Sequence, residues 1–369
     1  MKDIDGPRAC RLEELEELLE LVNFVFRTSS GRLPTIATDY PHIYRESNLE
    51  NVRVIGVGGA LRASLGTWSM QIALGDVRLN TVGVNAVTTH PDWRGRGFGE
   101  LLMRDVERRE RRAGSDLVHL SAGVPEWYRK LDYEDGGCQL TYTLNRGNVE
   151  FLPRPEELEI DSGLEGYLED LHRIHTNDRL GAVRDRRDLA LIVGRTSPQL
   201  YVAKRAGSVE AYVLVREAEK LVIEHGGAAE LVAPLLGAVF ERIDKVNEGR
   251  STTRRGGDHQ VELKSHLTVE VSPLQSGLVA LLDRIGIPVS RHSWHMVQLL
   301  DPATILEKLG IRDVTVAKRG DKFLVQAGER AESYSRRQLV KLIFGPERIS
   351  DIAGDRLPLP LFTPATDHV

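Results

Sequence analysis

Residues 87–100 read VTTHPDWRGRGFGE, and they join an apolar strand to a helix through alternating glycines at Gly95, Gly97 and Gly99. Consecutive backbone N–H groups at the start of a helix form a site for anions. Glycine lets the backbone approach a phosphate group closely and adopt positive φ angles where a turn requires them. The segment therefore predicts a phosphate-binding loop between a strand and a helix.

Two common phosphate-binding loops do not fit this segment. A dinucleotide-binding fingerprint has the spacing G-x-G-x-x-G, whereas the glycines here alternate. A P-loop ends in Gly-Lys followed by Ser or Thr, and residues 87–100 contain no such sequence. Two possibilities remain. One is a pyrophosphate loop of the pattern Arg/Gln-x-x-Gly-x-Gly/Ala, which Arg94, Gly97 and Gly99 match, and the other is a glycine-rich turn without a ligand.

The flanking segments predict an α/β domain that ends near Pro153 and Pro155. Its strands are indicated by short apolar runs between turn residues, and its helices by apolar residues spaced three or four apart. The predicted elements are a helix at 11–27, strands at 52–58, 60–68 and 77–88, a helix at 100–113, a strand at 117–121, a helix at 126–131 and a strand at 139–145.

The rest of the chain repeats this alternation less clearly. Residues 156–300 contain strand-like and helical segments without a second glycine loop. Residues 224–227 (EHGG) are predicted to form a turn, and a pocket of the second domain is the alternative. Asp301 and Pro302 are typical of a helix start, as N-cap and first-turn residue. Residues 301–369 are therefore predicted to form a third, smaller unit, which ends in a proline-rich apolar tail.

Composition excludes several classes of protein. The 369 residues are 41% hydrophobic and 28% charged, as in ordinary soluble proteins, and the net charge of −5 argues against coating nucleic acid or an anionic membrane. Two cysteines, Cys10 and Cys138, are too few for a disulfide framework or a multi-cysteine zinc site. Apolar runs fall short of a membrane span, and the N-terminus lacks the apolar core of a secretory signal. We expect a cytoplasmic protein without a metal, nucleic-acid partner or membrane partner.

The motifs resemble those of the GNAT superfamily of N-acetyltransferases. Residues 85–89 resemble the family's fourth strand, whose backbone pairs with the pantetheine amides of the cofactor. Residues 124–133 (VPEWYRKLDY) resemble the family's helix with the pattern aromatic-Tyr-x-Lys-Leu-Gly-Phe. Asp132 stands where that pattern has glycine, and Tyr133 where it has phenylalanine, which puts the local turn in question.

Over the whole chain, the organisation resembles that of the enhanced intracellular survival acetyltransferases, although only residues 85–133 carry specific motifs. The resemblance implies a mixed α+β and α/β fold of two tandem GNAT-like domains with mixed central sheets, followed by a small sterol-carrier-like α/β domain. The expected ranges are 1–150 for the catalytic domain, 151–300 for a degenerate second domain and 301–369 for the C-terminal domain. The family also assembles into oligomers, so a homo-oligomer is expected.

The expected function is transfer of acetyl from acetyl-CoA to a primary amine of a small molecule or peptide, by direct attack. Tyr128 is predicted to protonate the departing thiolate, because a phenol is protonated at neutral pH, although a tyrosine packed at a helix start is the alternative. The resemblance implies that the terminal carboxylate, on Val369, acts as the base; a merely docked terminus is the alternative. The expected cofactor-binding residues are Val87, Thr88, Thr89, Arg94, Gly95, Arg96, Gly97, Phe98, Gly99 and Glu100.

Two other functions remain open. The first is a GNAT scaffold that binds CoA or an apolar ligand without turnover. The second is a role of the second and third domains in subunit assembly. Release of CoA thiol that depends on an amine distinguishes the enzyme from the binding protein.

Overall fold

The computed structural model of the chain describes residues 4–154, 159–162, 166–251 and 265–367. These residues form two compact units. The first comprises residues up to Gly137 together with Ser293–Leu361, and the second comprises Cys138–His292 together with Phe362–Asp367.

The first unit contains a twisted sheet with helices and a C-terminal α/β region. Its strands in the sheet are β1 (Ile4–Ala9), β2 (Val52–Val57), β3 (Ala60–Leu74), β4 (Val77–Thr89), β5 (Leu117–Leu120), β6 (Glu134–Gly136) and β15 (His295–Leu299). Its helices are α1 (Leu15–Phe26), α2 (Ile36–Asp39), α3 (Phe98–Ala113), α4 (Pro125–Arg129), α9 (Pro302–Lys308) and α10 (Arg336–Phe344). A separate three-stranded antiparallel sheet consists of β16 (Val314–Arg319), β17 (Lys322–Ala327) and β18 (Arg330–Tyr334).

The second unit is built in the same manner around its own sheet. The strands of that sheet are β7 (Gln139–Asn145), β8 (Glu159–Ser162), β10 (Gln199–Arg205), β11 (Ser208–Arg216), β12 (Leu221–Gly227), β13 (His266–Val271) and β14 (Val289–His292). A further strand of this unit, β9 (Leu180–Val183), is not part of that sheet. The helices of the unit are α5 (Leu168–Asp178), α6 (Arg186–Thr196), α7 (Ala229–Ser251) and α8 (Ser276–Arg284).

Both sheets are mixed. The first runs in the order β1-β2-β3-β4-β5-β15-β6, and its β4 and β5 are parallel while the other described neighbours are antiparallel. The second runs in the order β14-β7-β13-β12-β11-β10-β8, and its parallel pair is β12 and β13. The fold is therefore mixed α/β, with a mixed central sheet in each unit and a C-terminal α/β region.

The alternation of side chains along β2 explains how helices cover both faces of the first sheet. Ile55 and Val57 pack in a cluster with Phe98 and Leu102 of α3. Val52 and Val54, which point to the opposite face because side chains alternate along a strand, pack in another cluster with α1. All six residues of β2 are buried, so its sequence is apolar almost throughout rather than alternating.

The compact units divide the chain differently from the expected ranges 1–150, 151–300 and 301–369. The strand expected at 139–145 is present as β7, but it belongs to the sheet of the second unit. Conversely, β15 lies between β5 and β6 in the first sheet. Residues 301–361 group with the first unit, because α10 packs against β6 and β15. Pro153 therefore does not coincide with the change of unit, which falls after Gly137.

Candidate active site

The site begins where the two parallel strands of the first sheet separate. In the pairing of β4 with β5, Thr81 lies beside Leu117, Val82 beside Val118 and Gly83 beside His119, and the pairing ends there. From Val84 onward β4 continues to Thr89 beside a cavity of about 810 Å³. The sheet thus has a wedge-shaped opening with backbone on the β4 side.

A β-bulge changes the direction of β4 in this opening. Asn85 pairs with Gly66 and Thr88 pairs with Ser64. The two residues Ala86 and Val87 of β4 therefore lie opposite one residue of β3, Leu65. Ala86 has a φ angle of 47°, in the left-handed region that residues other than glycine rarely adopt. Bulges next to active sites re-aim the backbone, and here Val87 and Thr89 line the cavity.

The glycine loop turns the chain from β4 into α3. Gly95 and Gly97 have φ angles of 75° and 80°, and Gly97 is the N-cap of α3, which starts at Phe98. The first intrahelical bond of the helix runs from the N–H of Leu101 to the carbonyl of Gly97. The N–H groups of the preceding residues in the first turn are therefore available to an anion at the helix start.

Two of the loop arginines lie at the surface. Arg94 is exposed, and its Nε donates to the carbonyl of Thr89 at 3.4 Å. Arg96 is also exposed, and its guanidinium lies 4.5 Å from the centre of the Trp93 ring. Both carry permanent positive charge beside the glycine loop.

The turn after α4 accommodates the unusual Asp132. Pro125 occupies the first turn of this short helix, and the chain leaves it through Asp132 with a φ angle of 68°. A left-handed residue at this point explains why the family pattern has glycine, and aspartate is among the residues that tolerate the conformation. The departure from the pattern is therefore compatible with the same turn.

Tyr128 lines the cavity opposite the glycine loop. Its ring packs edge-on against Trp127, with centroids 4.7 Å apart, and only 8% of the residue is exposed. Burial raises the pKa of its hydroxyl to about 12, so the phenol is protonated throughout the neutral range. The hydroxyl has no hydrogen-bond partner among the described residues, which leaves it free to donate to a ligand.

Most of the residues expected to bind the cofactor meet at this cavity. Val87, Thr89, Arg94, Gly95, Gly97, Phe98, Gly99, Glu100 and Tyr128 all line it. Thr88 does not: its side chain is fully buried and its hydroxyl donates to the carbonyl of Ala86 at 2.6 Å. Arg96 lies outside the lining on the Trp93 ring. Val369, the expected base, lies outside the described residues.

Several lining residues were not expected to bind the cofactor. Val25 and Phe26 come from the end of α1, and Trp93 precedes the glycine loop. The helical periodicity of α1 indicates which residues face the protein but gives no sign that its last turn reaches a cavity. Further lining residues are Val84, Ala86, Ser121, Gly123, Val124 and Trp127.

The corresponding opening in the second unit is closed. Its parallel strands β12 and β13 also pair over only two residues each, Leu221 with Thr268 and Val222 with Val269. The cavity beside them measures about 20 Å³, room for about one water molecule. It is lined in part by Phe362 and Pro364 of the C-terminal segment. A nucleotide cofactor does not fit this space.

The turn predicted at Glu224-His225-Gly226-Gly227 was wrong, because these residues lie within β12. The glycines are required by packing: a Cβ on Gly226 would lie 2.6 Å from Cε1 of Tyr212, and one on Gly227 would lie 2.3 Å from the carbonyl oxygen of Glu210. Glycine inside a strand often marks such close approach.

Glu224 is the centre of a buried ionic network in the second unit. Arg184 donates through Nη1 to both carboxylate oxygens of Glu224 at 2.9 Å, and through Nε and Nη2 to Asp367 at 2.6 and 2.5 Å. Tyr212 also donates to Glu224, at 2.7 Å. The guanidinium of Arg184 holds the pKa of Glu224 well below its ordinary value despite burial. The network anchors the C-terminal segment, up to Asp367, on this unit.

Among the described residues, no three His, Cys, Asp or Glu side chains are grouped as ligands of a metal ion would be. Within the same ranges, no helix has both the length and the apolar character needed to cross a membrane.

Comparison with known proteins agrees with this architecture. Residues 7–136 match the family described as acetyltransferase (GNAT) domain. No curated protein matches the chain. Similar solved structures include a conserved protein of unknown function from Enterococcus faecalis V583, a probable N-acyltransferase. It has a TM-score of 0.68 at 15% identity, and the match covers 98% of this chain and 97% of that one.

Two further solved structures have the same fold. A GCN5-related N-acetyltransferase from Kribbella flavida has a TM-score of 0.61 at 20% identity, over 90% of this chain and 84% of that one. Eis1 from Mycobacterium abscessus has a TM-score of 0.64 at 14% identity, over 100% of both chains. Residues 7–136 therefore match a GNAT acetyltransferase domain, and the chain as a whole has the same fold as Eis1.

Proposed function

We propose that the protein is an acetyl-CoA-dependent N-acetyltransferase that acetylates a primary amine of a small molecule or a peptide. The observation that carries this proposal is the cavity of about 810 Å³ where β4 separates from β5. It brings together a bulged strand, a glycine loop at a helix start and a buried tyrosine. These are the parts that a thioester donor and its leaving group require.

The backbone of the first unit suits the elongated donor. The bulged end of β4 at Val87–Thr89 offers peptide groups to the pantetheine arm, and Gly95 and Gly97 shape the loop for its pyrophosphate. A donor bound in this way supplies the acetyl thioester. Backbone N–H groups near Val87 are suited to stabilise the negative charge that develops on the thioester oxygen.

In the proposed reaction, the amine nitrogen attacks the carbonyl carbon directly, so that a C–N bond forms and the C–S bond breaks. Positioning the two reactants supplies much of the rate increase. Tyr128 donates a hydrogen bond to the leaving sulfur. With a pKa of about 12 against about 8.5 for an ordinary thiol, full proton transfer to a free thiolate would cost about 5 kcal/mol. Tyr128 therefore acts mainly by hydrogen-bonding the negative charge that develops on the sulfur as the C–S bond breaks.

The terminal carboxylate of Val369 is proposed to hold the acceptor in its ammonium form and to accept a proton from it, which leaves the neutral amine to attack. An unperturbed terminal carboxyl has a pKa of about 3.5, so it is a weak base for an amine. Binding the ammonium form, or relaying the proton through water, fits this chemistry better than direct abstraction. The support for this role is the resemblance described above.

Release of CoA thiol, measured with acetyl-CoA and a panel of primary amines, tests the proposal. We expect amine-dependent thiol release, with mass spectrometry showing the acetylated amine. Binding of acetyl-CoA without amine-dependent release would contradict the enzyme and favour the binding protein. The same preparation, passed through size-exclusion chromatography with light scattering, tests the homo-oligomer.

The proposed function includes a cellular location. We place it in the cytoplasm, acting on a soluble acceptor, because it has only two cysteines and a net charge of −5. Fractionation of cells that produce the tagged protein checks this assignment.

A further inference from the structure

Three arginines gather beside the glycine loop without a negative partner. Arg62 comes from β3, and Arg94 and Arg96 come from the loop itself. None of them forms an ion pair with a carboxylate in the described ranges. Arginines farther along α3 do form such pairs, including Arg104 with Glu107 at 3.0 Å and Arg108 with Asp105 at 3.5 Å. These three guanidinium groups thus have no carboxylate in direct contact, while Asp92 and Glu100 belong to the same segment.

Trp93 holds two of these arginines in place. The guanidinium of Arg96 lies 4.5 Å from the centre of its ring, and that of Arg62 lies 5.4 Å from it. The two guanidinium groups are therefore at most about 10 Å apart. Trp93 is itself stacked on Phe98, the buried first residue of α3, with ring planes 17° apart. The platform is thus fixed to the helix that follows the glycine loop.

Arg62 is the more unusual of the two arginines. Its backbone carbonyl accepts from the N–H of His90 at 2.9 Å, which fixes the strand position next to the loop. Its Nε is buried and has no hydrogen-bond partner among the described residues. A buried N–H group without a partner costs free energy, more so on a charged group. An anionic ligand would supply the missing acceptor.

The ligand chemistry follows from the charges. Two guanidinium groups held near each other repel, and a phosphate monoester with nearly two negative charges relieves that repulsion. The glycine loop already offers backbone N–H groups for a pyrophosphate, so a further phosphate group is needed to occupy the arginines. Trp93 and Arg94 line the cavity, so this platform lies at its rim.

We propose that Arg62 and Arg96, held against Trp93, bind the 3′-phosphate of CoA, so that the protein distinguishes CoA from dephospho-CoA. This inference rests on the proposed use of acetyl-CoA. Arginine suits the task because its planar donors match phosphate oxygens in pairs. The third arginine, Arg94, is tied to the carbonyl of Thr89 and stays nearer the pyrophosphate loop.

Isothermal titration calorimetry with CoA and dephospho-CoA tests the proposal without requiring turnover. We expect CoA to bind the unaltered protein about tenfold or more tightly than dephospho-CoA, as for a charge-assisted contact. Arg62→Met and Arg96→Met should each lower this ratio and leave the affinity for dephospho-CoA nearly unchanged. Methionine keeps an apolar side chain against Trp93. Adenosine 3′,5′-bisphosphate compared with AMP should give the same pattern.

Arg112→Met is the matched control, because Arg112 is an exposed α3 arginine that forms no ion pair with a described residue. It removes the same charge and should keep the CoA preference. Equal affinity of the unaltered protein for CoA and dephospho-CoA would overturn the inference, as would a preference that survives both substitutions. Arg96 is exposed, so its variant remains informative if Arg62→Met fails to fold. Absence of all CoA binding would instead overturn the proposed function.

Discussion

Gly99 of α3 and Trp127 of α4 are in direct contact at the cavity: a Cβ added to Gly99 would lie 3.2 Å from Cζ2 and 3.3 Å from Cη2 of the indole. The glycines of the loop are thus required for two different reasons. Gly95 and Gly97 adopt positive φ angles, whereas Gly99 makes room for a neighbouring ring. The indole in turn packs edge-on against Tyr128, so the loop and the tyrosine are coupled through one aromatic side chain.

We predict that Gly99→Val weakens acetyl-CoA binding. The added methyl groups must displace the indole of Trp127, and overpacking of this kind costs about 1–3 kcal/mol. The measurement is the dissociation constant for CoA, together with the thermal unfolding midpoint. Gly194→Ala serves as control, since a Cβ at Gly194 in α6 meets nothing within 4 Å and should favour the helix. Unchanged CoA affinity in Gly99→Val would show that the contact has no role in binding.

Tyr128→Phe should lower kcat by about a hundredfold, as expected for loss of a general acid, with little change in acetyl-CoA affinity. The ring contacts with Trp127 remain, and only the hydroxyl is lost. Tyr133→Phe is the control, because Tyr133 is buried in the same aromatic cluster, 6.0 Å from Tyr128, without lining the cavity. Equal turnover of the Tyr128→Phe variant and the unaltered protein would remove the hydroxyl from the mechanism.

A pH profile adds a second check on this tyrosine. Burial raises the pKa of Tyr128 to about 12, so its proton is retained on raising the pH from neutrality. We therefore predict that kcat does not fall between pH 7 and pH 10 through ionisation of this group. An alkaline decline near pH 9 that disappears in Tyr128→Phe would contradict the assignment.

Local patterns in the sequence predicted much of the first unit. The glycine loop, the helix after it and the resemblance at 124–133 singled out Tyr128 and loop residues, most of which line one cavity. Those signals are local, because strand, turn and helix propensities act over a few residues. The N-cap role predicted for Asp301 is confirmed, because its side chain accepts from the N–H of Thr304 at 3.1 Å. This prediction also depended only on neighbouring residues.

Sheet partners are not local, and the sequence could not predict them. The strand at 139–145 was predicted correctly, but nothing in its residues indicates that β13 and β14 are its neighbours. Likewise, β1 was not predicted, because Gly6 and Pro7 are typical of turns. These residues nevertheless lie within a strand that pairs with β2. The glycines of EHGG at 224–227 indicated a turn. They are instead required because Tyr212 on the neighbouring strand β11 crowds Gly226, and such a contact cannot be inferred from local sequence.

Extension of the C-terminus tests the proposed base. Two residues added after Val369 move the terminal carboxylate by up to about 7 Å, so kcat should fall while CoA affinity is retained. Val369→Ala is the control, because it changes the side chain and preserves the terminal carboxylate at its position. An extended protein with full turnover would exclude the terminal carboxylate from the mechanism and leave the site described in the first unit intact.

His225 should make the second unit less stable in mild acid. Its Nε2 donates to the carbonyl of Glu270 at 3.2 Å, and its Nδ1 accepts from the amide of Gln275 at 3.4 Å, so the neutral ring is satisfied. Burial lowers its pKa from 6.5 to about 4, although the Glu270 bond and nearby Glu224 oppose the shift. The unfolded chain therefore binds a proton below pH 6.5 that the folded chain does not bind until about pH 4.

The stabilising contribution of this histidine is accordingly complete above pH 6.5 and is lost as the pH falls towards 4, by about 3 kcal/mol in total. We predict that His225→Gln, which cannot titrate, reduces the loss of unfolding free energy between pH 7.5 and pH 5.0 measured with urea. His292→Gln is the control, because His292 is exposed on β14. An identical pH dependence in His225→Gln and the unaltered protein would show that the acid sensitivity arises elsewhere, with the buried carboxylates of Glu224 and Asp367 the next to test.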